Sequence, residues 1–248
     1  MIGLLLNRID RLRALRVRHL SRYSRAMADI PPTLYPYWKR TAHFEFKGIP
    51  RDAFFFARAA DGLLAFFDCV RRSDRACALP SMAADSVWHA WIRMTPEGID
   101  AFCVKHFGRT VPHLEGVAMA VPMEEALANC LVRARALESV PTARLSVPQL
   151  FGLDLKLRMP GGFGYTRWGR GLAWRRLDRA GRPAGEFFPQ EQFEPAALLA
   201  AGLISQAEFA DCADRTRPGD GGGCGSYAGG SGCDGGGGDG CGGGCGGD

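Results

Sequence analysis

Asp85, Trp88, His89 and Ile92 fall at i, i+3, i+4 and i+7, a spacing that puts a carboxylate and an imidazole on one helix face. Ile99, Phe102, Cys103 and His106 repeat the spacing, and His113 follows shortly after. Only Thr95-Pro96 separates the two stretches, so they are expected to form antiparallel neighbours whose faces meet. Asp, His and Cys are all suitable zinc ligands, and a tetrahedral site needs four of them. The spacing therefore predicts a site built from Asp85, His89, Cys103 and His113, for zinc or another soft transition metal. Cys103 beside a histidine is also a nucleophile–base pair. The plain structural alternative is a set of satisfied core residues, with Asp85 bonding His89 along one helix turn. No HExxH, CxxC pair or GxSxG accompanies the cluster, and no catalytic residue is assigned from sequence.

A second set of thiols lies at the C-terminus. Residues 219–248 hold 18 glycines, four aspartates and the cysteines Cys224, Cys233, Cys241 and Cys245, with Tyr227 the only large side chain. So glycine-rich a backbone cannot offset its ordering entropy by burying side chains, and the stretch is expected to be a disordered tail. Its cysteine spacing matches no zinc module. Flexible thiols can still bind soft metals, and Gly-Cys units are also substrates for enzymatic modification.

The elements expected to position these residues are mostly helical. Residues 2–27 place Ile2, Leu5, Ile9, Leu12, Leu20, Tyr23 and Met27 at helical spacing, with arginines on the other faces. This basic amphipathic helix is expected either to pack on the body or to contact an anionic membrane surface or an RNA backbone. The aromatic stretch from Tyr35 to Phe46 reads as a loop. A helix from Pro50 to about Ser73 follows, with Phe56, Leu63, Phe67 and Val70 as its apolar stripe. Ser81 is placed to cap the next helix, Thr95 to cap another with Pro96 at its first position, and Gly108 to stop it. Glu124 and Glu125 open a further helix. After Pro141 the prolines and glycines exclude long helices, and Tyr165–Trp168 and Leu172–Leu177 read as a β-hairpin. Two short helices around Gly202, the second capped by Ser205, complete the body. The fold class is mainly α: a single helical domain with a small β-hairpin element and the Gly/Cys-rich tail. Its expected segments are 1–30, 31–192, 193–217 and 218–248.

Asp85-Ser-Val-Trp88-His89, then Phe102-Cys103, then Phe107-Gly108-Arg109 and His113, resemble the D-x-V-W-H, F-C and F-G-R motifs of the bacterial glycine-rich domain-containing proteins. Pro148-Gln-Leu-Phe151-Gly-Leu-Asp154 resembles that family's P-x-L-F-x-L-D segment. The resemblance spans about 45 to 165, and many members end in a similar tail. This chain has Ile99 where the family usually has tyrosine, and Pro112-His113 where two adjacent histidines are common. The resemblance implies an architecture and no particular reaction. Leu198 to Phe209 also resembles short C-terminal helical modules associated with oligomerisation.

Charge and composition narrow the classes of function. The net charge of +5 divides into +5 over residues 1–30, +4 over 31–218 and −4 in the tail. A near-neutral body argues against a dedicated nucleic-acid surface. Gly161-Gly162-Phe-Gly164 lacks the rest of a phosphate-loop pattern and is expected to be a turn. Arg167, Trp168, Arg170, Trp174, Arg175 and Arg176 mix basic and aromatic residues, as a stacked hairpin face does. No signal peptide or membrane span is evident, and the chain reads as cytoplasmic. The missing catalytic set favours a non-enzymatic interaction or scaffold protein acting on a protein partner. The alternatives are a metal-binding or thiol-handling protein, and an enzyme of unknown reaction with a Cys–His pair.

Overall fold

The computed structural model describes residues 2–113, 121–141 and 146–214. The chain divides into a compact unit, Met1–Thr216, and a second unit, Arg217–Asp248. The tail and its cysteines Cys224, Cys233, Cys241 and Cys245 lie outside the described residues.

The compact unit is a mainly helical body with a small antiparallel sheet. Its helices are α1 (Ile2–Leu20), α2 (Ser24–Asp29), α3 (Leu34–Glu45), α4 (Ala53–Arg71), α5 (Met82–Met94), α6 (Pro96–Phe107), α7 (Met123–Leu137), α8 (Leu153–Leu157), α9 (Pro195–Ala200) and α10 (Gln206–Asp214). The sheet runs β1 (Phe163–Trp168), β2 (Gly171–Arg176) and β3 (Phe188–Gln190) in that order, with Tyr165 opposite Trp174 and Trp174 opposite Phe188. The expected hairpin is thus extended by a third strand. No helix among the described residues is long and apolar enough to cross a membrane.

Helix α4 is the centre of the core. Ala59, Leu63, Leu64 and Phe67 are fully buried, and α1, α5 and α7 pack around it. It starts later than expected. Asp52 is its N-cap, accepting a hydrogen bond from Phe55 N at 2.8 Å, so Pro50 lies outside the helix. The basic helix expected over 2–27 is broken at Ser21, whose Oγ bonds both Asp61 and the Tyr23 amide. Ala14 and Met27 enter the core, whereas Leu12 and Leu20 remain 66% and 73% exposed. The helix therefore packs on the body through one face only.

The aromatic stretch is a helix, not a loop. Leu34, Trp38 and Ala42 recur every four residues and are all buried, giving α3 a core-facing stripe. Trp38 packs on Phe55 at 5.9 Å and donates to Ser86 Oγ at 3.0 Å, anchoring α3 to α4 and α5. Pro36 sits in the first turn, where its missing amide proton costs nothing. Burial of this stripe outweighs the weak helix propensity of five aromatics in thirteen residues.

The punctuation of α5 and α6 is as expected. Ser81 Oγ accepts from Ala84 N at 3.2 Å, Thr95 Oγ1 accepts from Gly98 N at 3.2 Å, and Gly108 ends α6 at φ +76°. The start of α5 holds a further device. Asp154 on α8 is fully buried, and it accepts from Ser81 Oγ (2.6 Å), Met82 N (3.0 Å), Ala83 N (2.9 Å) and Phe163 N (3.0 Å). An isolated buried carboxylate costs several kcal/mol, and four charge-assisted hydrogen bonds of about 1.5–3 kcal/mol each offset it. Burial pushes the Asp154 carboxyl above its usual range, against the pull of these donors. Gly162 makes the arrangement sterically possible, since a Cβ there would meet Asp154 Oδ2 at 2.7 Å.

The remaining expectations concern the surface. Gly161 and Gly162 lead into β1 and precede no helix, so the phosphate-loop pattern is a turn. Arg175 lies over Phe187 and Arg176 over Phe163, while Trp174 stacks on Phe188 at 4.7 Å. These rings stack within the sheet face. Ser205 and Glu208 form a reciprocal cap at α10, with Ser205 N donating to Glu208 at 2.8 Å and Glu208 N to Ser205 Oγ at 3.2 Å.

Candidate metal centre

Helix α5 projects Asp85 and His89 from consecutive turns of one face. His113, in the segment after α6, returns to that face and sets its ring edge against Trp88 at 4.5 Å and His89 at 4.7 Å. Three side chains converge there. His89 Nε2 lies 3.0 Å from His113 Nε2, His113 Nε2 lies 3.3 Å from Asp85 Oδ1, and His89 Nε2 lies 3.5 Å from Asp85 Oδ2. Among the described residues, these three form a group whose ligand atoms all lie within 4.8 Å of one another.

The dimensions of the group suit a transition metal. With zinc–ligand bonds of about 2.0–2.2 Å, neighbouring ligands of a tetrahedral ion stand about 3.3–3.6 Å apart. The separations of each imidazole nitrogen from the Asp85 carboxylate, 3.3 and 3.5 Å, fall in that range, and the two nitrogens at 3.0 Å stand slightly closer. Two imidazole nitrogens facing each other at 3.0 Å must share something between their lone pairs, either a proton or a cation.

Glu45 decides which nitrogen of His89 is presented. Its Oε1 accepts from His89 Nδ1 at 2.7 Å, and its Oε2 accepts from Arg93 at 2.6 Å. A proton held on Nδ1 leaves the Nε2 lone pair directed at His113 and Asp85, which is the tautomer a metal ligand needs. Glu45 comes from the last turn of α3, the segment expected to be a loop. The signal that could have revealed it was the four-residue recurrence of Leu34, Trp38 and Ala42.

Cys103 is not part of this arrangement. It is 1% exposed on α6, its thiol bonds the backbone at Val111, and burial pushes it up to about 12. His106 turns away as well, pairing with Asp29 at 2.9 Å. The physical reason is the extended Thr95 (φ −163°), which redirects the chain so that α6 meets α5 through Trp91 and Phe102, 4.7 Å apart. Among the described residues, the group that comes together is thus the N2O triad of Asp85, His89 and His113, without Cys103.

The triad lines a cavity of about 550 Å³ between α4, α5 and the segments around Cys77 and His113. A family model described as UCP032817-like matches residues 55–180, more than half of the chain. The chain belongs to the UCP032817-like family. The family match contains Asp85, His89, His113 and Asp154, while Glu45 precedes it. No curated protein and no solved structure matches the chain.

Proposed function

We propose that this UCP032817-like protein is a metal-binding protein whose Asp85, His89 and His113 hold a divalent transition metal, with zinc the best fit. The observation that carries this reading is the convergence of the two imidazole Nε2 atoms, 3.0 Å apart, on the Asp85 carboxylate, whose two oxygens lie 3.3 and 3.5 Å from them, together with the Glu45 carboxylate fixing the His89 tautomer. A structural zinc site closes its tetrahedron with four protein ligands, whereas a reactive one keeps a position open. With Cys103 turned away, Asp85, His89 and His113 would hold the ion, and all three line the cavity. An ion held there would polarise a bound water or carbonyl as a Lewis acid. The absence of a thiolate from the set makes it borderline in softness, which also admits ferrous iron as an occupant.

The test is elemental analysis of the full chain purified without an affinity tag, beside His89→Ala and a variant with all four tail cysteines replaced by serine. One equivalent of zinc or iron, retained in the serine variant and lost in His89→Ala, is the expected result. Metal that disappears with the tail cysteines places it on the tail. Metal-free protein that takes up none on dialysis against zinc refutes the reading.

A further inference from the structure

The wall of the same cavity also contains Cys77, in the segment between α4 and α5. Cys69, Cys103, Cys130 and Cys212 are all buried, whereas Cys77 is only half-buried. Its surroundings are built around the sulfur. Asn129 on α7, 1% exposed, points its Nδ2 at four acceptors that share its two protons: Ser73 Oγ (2.8 Å), Ala76 O (2.9 Å), Arg75 O (3.2 Å) and Cys77 Sγ (3.3 Å). The amide of Ala78 closes the segment onto α7 by donating to Ala126 O at 3.2 Å. Ser73 and the Cys130 thiol also hydrogen-bond Cys77.

These contacts favour the thiolate. The Cys130 hydrogen bond lowers the Cys77 thiol most, and Ser73 and the Arg133 charge add to it against the opposing effect of burial. Cys130 shows the opposite behaviour: its hydrogen bonds to Cys69 and Cys77 and its complete burial push it well up. One sulfur, on the cavity lining, is thus biased toward the thiolate, and its neighbour, in hydrogen-bond contact with it, is biased toward the thiol. That pairing of an accessible thiolate and an adjacent thiol is what reversible thiol oxidation requires.

We propose that Cys77 is a hydroperoxide-reactive thiol and that Cys130 is its resolving partner. In the first step the Cys77 sulfur attacks one peroxide oxygen and forms an S–O bond. The O–O bond breaks, and the departing alkoxide or hydroxide takes a proton from water in the cavity. In the second step Cys130 gives up its proton and attacks the Cys77 sulfur, forming the S–S bond as the S–OH leaves as water. Two thiols lose two electrons, the peroxide gains two, and an exogenous dithiol reductant reverses the change. A three-thiolate metal site is the competing use of this cluster. It is disfavoured because Cys69, Cys77 and Cys130 do not form a group within 4.8 Å among the described residues. The inference stands independently of the metal reading.

The experiment treats reduced full-length protein with one equivalent of hydrogen peroxide and maps the cysteines by mass spectrometry. The expected product is a Cys77–Cys130 disulfide. Cys130→Ser is expected to stop at a sulfenic acid on Cys77 that a cyclic 1,3-diketone traps, and Cys77→Ser to leave Cys130 reduced. Cys77 remaining reduced while tail cysteines oxidise, or Cys77 pairing with Cys69 instead, overturns the proposal. A measurement on the wild-type chain needs no variant to fold: iodoacetamide at neutral pH is expected to label Cys77 at least about ten times faster than Cys103. Equal rates overturn it as well.

Discussion

The two walls of the 550 Å³ cavity solve the same problem in different ways. On one wall, Asp85 and His89 share a helix face, so a single secondary structure sets most of the geometry and His113 completes it. On the other, Cys77, Ser73 and Cys130 belong to a non-helical segment and to a helix more than fifty residues later, with Asn129 as the side chain that clamps them. A site built on a helix gets its spacing from helical periodicity, whereas one built on a loop needs a buried polar group to hold it. The lesson is that the first wall should tolerate changes outside its ligands and the second should depend on its clamp. If the walls are independent, changes to one leave the chemistry of the other intact.

The largest expected effect is on the helix wall. His89→Ala removes one of the three ligands, and its metal content is expected to fall from stoichiometric to background. Iodoacetamide labelling of Cys77 should be unchanged in the same protein. Loss of both would mean that the walls form one coupled unit.

Asp154→Asn comes next, because it tests the support that α5 receives at its start. The amide keeps one acceptor but turns an NH2 toward donors that now have no partner. The buried site leaves no water to substitute, so a loss of about 3 kcal/mol is expected, read by urea denaturation. Asp154→Ala, which leaves all four donors unpaired, should cost more. If Asp154→Asn is neutral, the carboxyl is protonated in the folded protein and already donates.

The contrast between the walls also explains what sequence could reveal. Ser81, Thr95, Pro96 and Gly108 are local signals, and α5 and α6 begin and end where those residues place them. The pairing of Asp85 with His89 is equally local. Glu45 and Asp154 were not legible as supports, because each acts on α5 across 44 or more residues of chain. Cys103 misled for a related reason: its helical spacing matched that of His89, but the rotation of α6 about α5 is set at Thr95 by packing. The thiol wall carried no periodic signal at all. Of the long-range elements, α3 was the closest to readable, and its aromatic content disguised a regular stripe.

Glu45→Gln refines the picture of the helix wall. A glutamine can still accept at one atom but carries no charge, so the Nδ1–H of His89 is held less firmly. Loss of such a second partner typically weakens metal binding about 10- to 100-fold, which competition with a fluorescent zinc chelator would detect. The change should be confined to affinity, with one equivalent still bound at saturating metal. Unaltered affinity would mean that Glu45 serves only to pair with Arg93.

The smallest effect is expected at Cys103, and it separates the two cysteine environments most directly. Cys103→Ala removes one sulfur from a packed site and is expected to cost about 1 kcal/mol of stability while leaving metal content unchanged. Its pH signature has a definite sign. A thiol pushed up to about 12 in the folded chain ionises near 8.5 when unfolded, so stability is fully present below 8.5 and declines as pH rises from there toward 12. The wild-type melting temperature should therefore fall more steeply than that of Cys103→Ala across this window. Cys77 has the opposite sign. Its lowered thiol contributes stability that is fully present once pH exceeds the range where the unfolded thiol ionises, and this contribution is lost as pH falls through the folded value. Parallel curves for wild type and Cys103→Ala would show that Cys103 is not held neutral by its surroundings, and would erase the difference between the two thiols.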